Sequence, residues 1–342
     1  MKVAVVGATG AVGREMTRTL QERRFPVDEF VPLASARSAG AIVRFADEDV
    51  AVRELSLDAL RGVDVALVSA GASVSRSFIP DAAAAGVTCI DNSSAFRMDP
   101  DVPLAIPEVN PESLEGAPRI VAVANCTTIT AVLAVAPLHR AAGLTSLVLS
   151  SYQSVSGAGH RGVSELLEQV EKLRGDEESL AHPVHEALPT GPVFGSTIAY
   201  NVVPKVGEFE PDGFTGEEAK MAAEPRKILS LPDLPVVATS IRVPVIAGHG
   251  VSILAEFSRP ISVEAAREAI VAAPGVELRD DPANDVYPTP LDAAGLDVAL
   301  VGRIRRAPGR DDALALFACA DNLRKGAALN AVQIAEYLFA SR

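Results

Sequence analysis

Cysteine is scarce in this chain: three residues in 342, Cys89, Cys126 and Cys319. An odd, widely spaced set argues against a disulfide framework, and without a CxxC pair nothing suggests structural zinc or another metal. Long apolar runs are missing as well. Hydrophobic residues make up 48% of the chain, yet no stretch reaches the roughly 18–20 residues that span a bilayer. The first residues, MKVAVVGATG, meet glycines at once and lack the pattern of a cleaved secretory signal. The expectation is a soluble cytoplasmic protein with no membrane partner. Basic charge is also short: 31 Lys and Arg face 44 Asp and Glu, for a net charge of −13. That opposes nucleic acid as a general partner. Any anionic ligand must be held by specific arginines and lysines that overcome the global field locally. Internal repeats and low-complexity tracts are absent.

What is present is alternation. KVAVVGA (2–8) reads as a buried strand, and VGREMTRTLQER follows with Val12, Met16 and Leu20 on one helical face, ended by Pro26. EFVPLAS (29–35), VDVALVSA (63–70) and VTCIDNS (87–93) are further strands, with SRSFIPDAAAAG (75–86) a helix between the last two. This rhythm implies a parallel sheet with helices on both faces. From about residue 144 it changes. LTSLVLSSYQSVS reads as a long strand and GVSELLEQVEKLRG (162–175) as an amphipathic helix, before a polar, proline-rich excursion. IAYNVVP, PVVATSIRVPV and GVSILAEFS read as strands, the last two paired through the turn IAGHG. The chain closes on a strand, ALALFACAD, and a long helix whose Gly326, Ala327 and Ala328 permit close packing, so that it can return to the first half.

Between the first strand and the first helix stands GATGAVG: Gly7, Thr9, Gly10, Ala11, Val12 and Gly13 are the candidate cofactor residues. Glycines there let backbone N–H groups approach a pyrophosphate at a positive helix terminus. A tight strand-to-helix turn is the plainer reading. The second strand leads into Ser35-Ala36-Arg37-Ser38, where an NAD site usually carries an acid. Arg37 and Ser38 suit a 2′-phosphate, which favours NADP over NAD. Arg37 as a simple surface charge is the alternative.

The stretch VAVANCTTIT (121–130) places a thiol where a strand becomes a helix, with Asn125 or Cys126 as N-cap. Such a position lowers a thiol pKa, aims N–H groups at the sulfur and offers an oxyanion site. Cys89 and Cys319 lie within strands and read as core. Of the histidines, His139 reads as surface, His182 and His185 as solvated, and His160 as undecided. His249, flanked by glycines between two apolar strands, is the candidate base.

Taken together, GATGAVG, ASARSAG, DNSSAFRMDPDVPL, ANCTTIT, SSYQSVSGAG, EEAK with EPRKIL, RVPV with GH, and DNLRKGAALNAVQIAE make the chain resemble the aspartate-β-semialdehyde dehydrogenase family over its full length. The resemblance implies a doubly wound, Rossmann-type α/β domain over 1–127, completed by 322–342. It also implies an α+β catalytic and dimerisation domain over 128–321, with a mixed, largely antiparallel sheet. It implies NADP-dependent reduction of aspartyl phosphate to aspartate semialdehyde with release of phosphate, within lysine, threonine, methionine and diaminopimelate biosynthesis. In this reading Cys126 forms a thioester, His249 is acid and base, and Gln153 orients the acyl group. Arg242 grips the substrate carboxylate, and Arg97 and Lys220 hold phosphate. Glu217 faces the ammonium, with Glu218 as its neighbouring alternative, and Asn125 completes the substrate site. Ser156, Gly157 and Asn322 line the cofactor. Plainer readings remain: Arg97 against Asp99, Glu217 paired with Lys220 on a solvated helix face, and Arg242 answered by a structural carboxylate.

Two departures from the family pattern stand out. Val123-Ala124 replaces Asn-Pro before Asn125, and Gly250, where Ser is frequent, follows His249. A homodimer is expected, with a tetramer as the larger alternative. Two rivals stay open: a related acyl-phosphate reductase such as an N-acetyl-γ-glutamyl-phosphate reductase, and a non-catalytic NADP-binding regulator.

Overall fold

The computed structural model describes residues 1–184 and 187–339; His185 lies outside the described residues. The first sheet is built from β1 (Lys2–Val6), β2 (Glu29–Ala34), β5 (Arg53–Glu54), β6 (Val65–Val68), β7 (Thr88–Asp91), β8 (Leu104–Ala105) and β9 (Ile120–Val123). A small antiparallel hairpin, β3 (Ile42–Phe45) and β4 (Glu48–Ala51), stands beside it. The large sheet is parallel throughout, in the order β5-β2-β1-β6-β7-β9-β8. Helices α1 (Ala11–Glu22) and α2 (Ala72–Ala84) make the crossovers. Strand order reverses at β1, where Val6 lies between Leu33 of β2 and Val68 of β6. Ligands of such sheets bind beyond the carboxyl ends of the strands at the reversal point. Because all strands run the same way, the loops after β1, β2, β6, β7 and β9 open on one edge.

The helix after β9, α3 (Cys126–Ala142), is hydrophobic all round, which demands burial on every side. Every residue from Thr127 to Leu138 is buried. Ile129, Val132, Leu133 and Ala136 pack into the first core, while Ala131, Ala134, Val135 and Leu138 pack into a second. Cys126 thus sits at the start of the element that both cores share.

The second core lies on a mixed sheet of order β11-β10-β12-β15-β14-β13. Its strands are β10 (Leu144–Gln153), β11 (Val236–Arg242), β12 (His249–Phe257), β13 (Val276–Leu278), β14 (Ala299–Arg306) and β15 (Ala313–Ala320). Helices α4 (Gly159–Leu173), α5 (Glu177–Ala181), α6 (Gly216–Ile228), α7 (Val263–Val271) and α8 (Pro290–Ala293) are threaded between them. The expected hairpin of β11 with β12 is not formed. β10 lies between them, parallel to β11 and antiparallel to β12. The segment read as a strand, IAYNVVP, is irregular and contributes only the bridge of Val203 to Arg242. β10 is ten residues long, and its two apolar neighbours compete for it rather than for each other. The last helix, α9 (Leu329–Phe339), does return to the first half: Ala331, Val332, Ile334 and Ala335 belong to the first core. A π-helical turn, Arg324–Ala328, precedes it. Among the described residues no helix is long and apolar enough to cross a membrane, and no cluster of side chains could hold a metal ion.

Candidate active site

The loop after β1 is shaped by what its glycines allow. Gly7 has φ +83°, and a Cβ there would meet Ser69 O at 2.2 Å; one on Gly13 would meet Gly7 O at 2.1 Å. Gly7 and Ala8 donate to Leu33 O at 2.8 and 3.1 Å, which ties the loop to the end of β2. No side chain caps α1 after Gly10, and no acid stands in its first turn. This cradle fits the phosphates of a dinucleotide: it is close, backbone-lined and positive. Thr9, Ala11 and Val12 complete it, and Arg37 and Ser38 follow in a short turn beyond β2, Arg37 exposed.

Across the same edge, Cys126 opens α3. Cys126 shares a cavity of about 190 Å³ with Val12, Asn92, Arg97, Gly157, Asn322 and Gly326. Gly326 is obligatory there, since a Cβ would come within 2.8 Å of Cys126 Cβ. The N-cap is Asn125, whose Oδ1 accepts from the Thr127 and Thr128 N–H groups at 2.9 and 3.3 Å. Those two groups are therefore taken, and the expected oxyanion site built from them is not free. Nor is the thiol ionised at rest. Burial, then the Glu217 carboxylate, push Cys126 up to about 11, against the pull of Arg97, Thr127 and Arg242. The sequence expectation of a lowered pKa holds for an exposed helix start; here desolvation wins. Cys89 and Cys319 are core, as expected, and burial pushes each thiol up to about 12.

His249 is the first residue of β12 rather than a turn residue, and is fully buried. Its Nδ1 accepts from the Ser154 backbone N–H at 3.1 Å. A backbone donor cannot reverse, so neutral His249 carries its proton on Nε2. Among the described residues Nε2 has no hydrogen-bond partner, and it lies beside Gly157. Burial, then Arg242, lower its pKa to about 3. Asn322 Oδ1 accepts from Gly248 N and from the Ser154 and Ser156 hydroxyls, fixing the loop that holds the imidazole. Gly250 has a local reason: a Cβ would come within 2.7 Å of the Phe317 ring.

The remaining candidates converge. Gln153 ends β10 and is buried, donating to Glu217 Oε1 at 3.3 Å. Glu217 is buried and also accepts from Asn125 Nδ2 at 2.8 Å. It pairs with Lys220 at 3.3 Å, so that plainer reading is correct in its partner but wrong in its setting. Glu218 is excluded from the site: it closes the capping box of α6 with Thr215 and accepts from Ser240 N. Arg242 is buried, donates to Ser154 O at 2.7 Å and lies 5.8 Å over the Phe194 ring. Among the described residues it forms no direct ion pair; burial lowers its pKa, against the more distant pull of Cys126 and the Glu217 carboxylate. A buried guanidinium without an anion marks a place for one. Arg97 does not meet Asp99, which pairs with Arg76. Its nitrogens donate to Val123 O, Glu224 Oε1 and Asn92 O at 2.9, 2.9 and 2.8 Å.

Sequence reading missed Glu224, Ser154 and the role of Asn92. Glu224 had a signal: it stands seven residues after Glu217 on one face of α6. His139, read as surface, is half-buried. Its Nδ1 accepts from Leu144 N at 3.0 Å and closes the turn into β10. His160 and His182 are exposed, the former beside Ser164.

Comparison with known proteins bears on the family and the fold. Residues 2–117 match the family model for the semialdehyde dehydrogenase NAD binding domain, and residues 135–325 that for the semialdehyde dehydrogenase dimerisation domain. A Streptomyces akiyoshiensis protein named aspartate-semialdehyde dehydrogenase is 47% identical over 344 residues, covering 99% of each chain. Vibrio cholerae aspartate semialdehyde dehydrogenase II, solved as a complex with ASA, superposes with TM-score 0.90 at 40% identity, covering 99% of this chain and 98% of that one. The Candida albicans enzyme solved with NADP gives TM-score 0.74 at 25% identity, covering 99% of each. With a parallel cofactor-type domain, a mixed-sheet second domain and full-length relatives, the chain belongs to the aspartate-semialdehyde dehydrogenase family.

Proposed function

We propose that the protein interconverts aspartyl phosphate and aspartate semialdehyde with NADP and phosphate, through a thioester on Cys126. The observation that carries this is Gly157, which lines the cavity of Cys126 together with Val12 of the glycine loop and stands beside both the buried Arg242 guanidinium and the His249 Nε2, which has no partner among the described residues. NADP, when bound, supplies or accepts the hydride. Gly7, Gly10 and Gly13 would hold its pyrophosphate, and Arg37 with Ser38 its 2′-phosphate; Ser156, Gly157 and Asn322 would line it near Cys126. Arg242 takes the substrate α-carboxylate with its two-pronged guanidinium. Glu217 takes the ammonium, and Gln153 and Asn125 flank the acyl group. Lys220 and the remaining N–H groups of Arg97 hold the phosphoryl oxygens. Cys126 Sγ attacks the acyl carbon, the C–O bond to phosphate breaks, and the thiol proton leaves on the departing phosphate oxygen. His249 Nε2–H donates to the carbonyl oxygen as it gains charge and returns as base when the thiohemiacetal collapses.

The subunit contact is best supported on the outer face of the second sheet. Val148, Tyr152 and Val237 are exposed there on adjacent strands, within the region matching the dimerisation domain. A homodimer through this face, and a division near residue 127 with 322–342 completing the first domain, belong to the same proposal; the second is supported by Ala331, Val332, Ile334 and Ala335, which pack into the first core. The test is NADP reduction with aspartate semialdehyde, required to depend on phosphate or arsenate. Cys126→Ala is expected to abolish it, and full turnover in that variant would remove the mechanism. A preference for N-acetylglutamate semialdehyde would redirect the substrate claim.

A further inference from the structure

Glu224 is almost fully buried, at 1% exposure, yet it has no part in the chemistry just described. Both of its oxygens are committed. Oε1 accepts from Arg97 Nη1 at 2.9 Å and Oε2 from the Asn125 backbone N–H at 2.7 Å. Arg97 in turn donates through Nε to Val123 O at 2.9 Å. The peptide groups on the two sides of Ala124 are thus held by one ion pair: the carbonyl before it by the guanidinium, the amide after it by the carboxylate. Helix α6 adds two further grips. Glu217 takes the Asn125 side chain, and Lys227 Nζ donates to Arg97 O, Asp99 O and Val102 O at 2.8, 2.7 and 2.7 Å.

The geometry points to Glu224 as a positioning residue that clamps the turn 123–125, so that the nucleophile Cys126 and the phosphate-binding Arg97 are set in place as one unit. This rests on the roles given to Cys126 and Arg97 above. The alternative is a buried ion pair that only adds rigidity. Such a pair brings little net stability once both charges are desolvated, so its retention by itself explains nothing. The clamp has a directional consequence. Its two arms serve different partners, so breaking each should damage a different kinetic constant.

Glu224→Asp keeps the negative charge near Arg97 but draws both oxygens back by one methylene, which loosens the hold on Asn125 N. It is expected to lower kcat about hundred-fold, as for a nucleophile displaced by about 1 Å, with the KM for phosphate within about two-fold of wild type. Glu224→Gln can still accept from Asn125 N, but turns its amide toward a guanidinium that cannot accept. It is expected to raise the KM for phosphate about ten-fold, the size of one charge-assisted hydrogen bond, with a smaller loss of kcat. Changes of equal size in both constants in both variants, or none per folded molecule, would overturn the clamp.

A second readout needs no substrate. Alkylation of Cys126 by iodoacetamide at about pH 8, referenced to the urea-unfolded chain, is expected to change several-fold in Glu224→Asp as the sulfur leaves its set position. An unchanged rate also overturns the proposal. Wild-type protein that alkylates at Cys126 but turns over no aspartate semialdehyde would sink the functional reading and leave the clamp to be judged on alkylation. Should both variants fail to fold, Arg97→Lys, which loses the grip on Val123 O, replaces them. A rate changed several-fold in either direction supports the clamp and an unchanged rate refutes it.

Discussion

Two helices begin at the same edge of the first sheet, and they begin differently. α1 starts after Gly10 with no side-chain cap and no acid in its first turn. α3 starts after Asn125, whose side chain takes the N–H groups of Thr127 and Thr128. The first terminus is left uncapped, as the proposed pyrophosphate site requires. The second is closed by its own chain, and its task is to place a sulfur. A helix start is a positive dipole in both cases; what differs is whether the donors are free. The difference removes the Thr127 and Thr128 N–H groups from any oxyanion site at the start of α3.

The comparison can be broken most sharply by exchanging the two starts. Gly10→Asp gives α1 the cap it lacks and puts a carboxylate where phosphate should lie. A cap contributes about 1 kcal/mol, offset by crowding because a Cβ at Gly10 would lie 3.2 Å from Gly7 O. The melting temperature should therefore change little, while the KM for NADP rises about hundred-fold or more through lost donors and like-charge repulsion. An unchanged KM would mean that α1 is a packing turn only. The reverse exchange is Asn125→Ala, which opens α3. If its first turn could serve as an oxyanion site, opening it should preserve or raise kcat. The clamped-scaffold view expects kcat to fall about thirty-fold as the sulfur loses its placement, with about 1 kcal/mol of stability lost with the cap.

A smaller effect follows from the imidazole facing these two termini. His249 titrates near 3 in the folded chain and near about 6.5 when unfolded. Between those values the unfolded state holds a proton that the folded state refuses. Its contribution is therefore complete above about pH 6.5 and is lost as pH falls toward 3. His249→Asn should reduce the acid sensitivity by about 2 kcal/mol at about pH 5, read as a smaller drop in melting temperature between neutral and mildly acidic buffer. Equal drops in both proteins would mean that the ring is protonated, or solvated, in the folded chain.

The same contrast shows what could be read before the fold was known. The α1 site is local. Gly7, Gly10 and Gly13 are adjacent in sequence, and their spacing encodes both the turn and the close approach. The parallel sheet was legible for the same reason, since each strand and crossover helix has its own periodicity. The α3 site is assembled from residues far apart in the chain: Asn125 meets Glu217 and Glu224, and Cys126 meets Gly326. Residue types could nominate Cys126 and His249, but not their ionisation. Burial and the approach of Glu217 and Arg242 decide that, and both are tertiary. Strand pairing failed where β10 offered two edges and sequence proximity favoured the wrong partner. Glu224 escaped notice because a glutamate on a charged helix looks solvated until its partners arrive.

The finest discrimination lies just past the open terminus. The turn Ala36–Ser38 follows β2, whose Leu33 O holds Gly7 and Ala8, so Arg37 belongs to the same edge as the phosphate cradle. It is exposed and makes no ion pair among the described residues, which leaves its charge available to a ligand. A solvent-exposed contact of this kind is screened and modest. Arg37→Ala is therefore expected to raise the KM for NADPH only about five- to ten-fold, with the KM for NADH and kcat unchanged. The effect should shrink as salt is raised, because a 2′-phosphate contact is electrostatic and the glycine-built pyrophosphate contact is largely directional. Equal changes for both cofactors would place Arg37 on the shared pyrophosphate instead, and the selectivity for NADP would then have to come from Ser38 and the backbone of the turn.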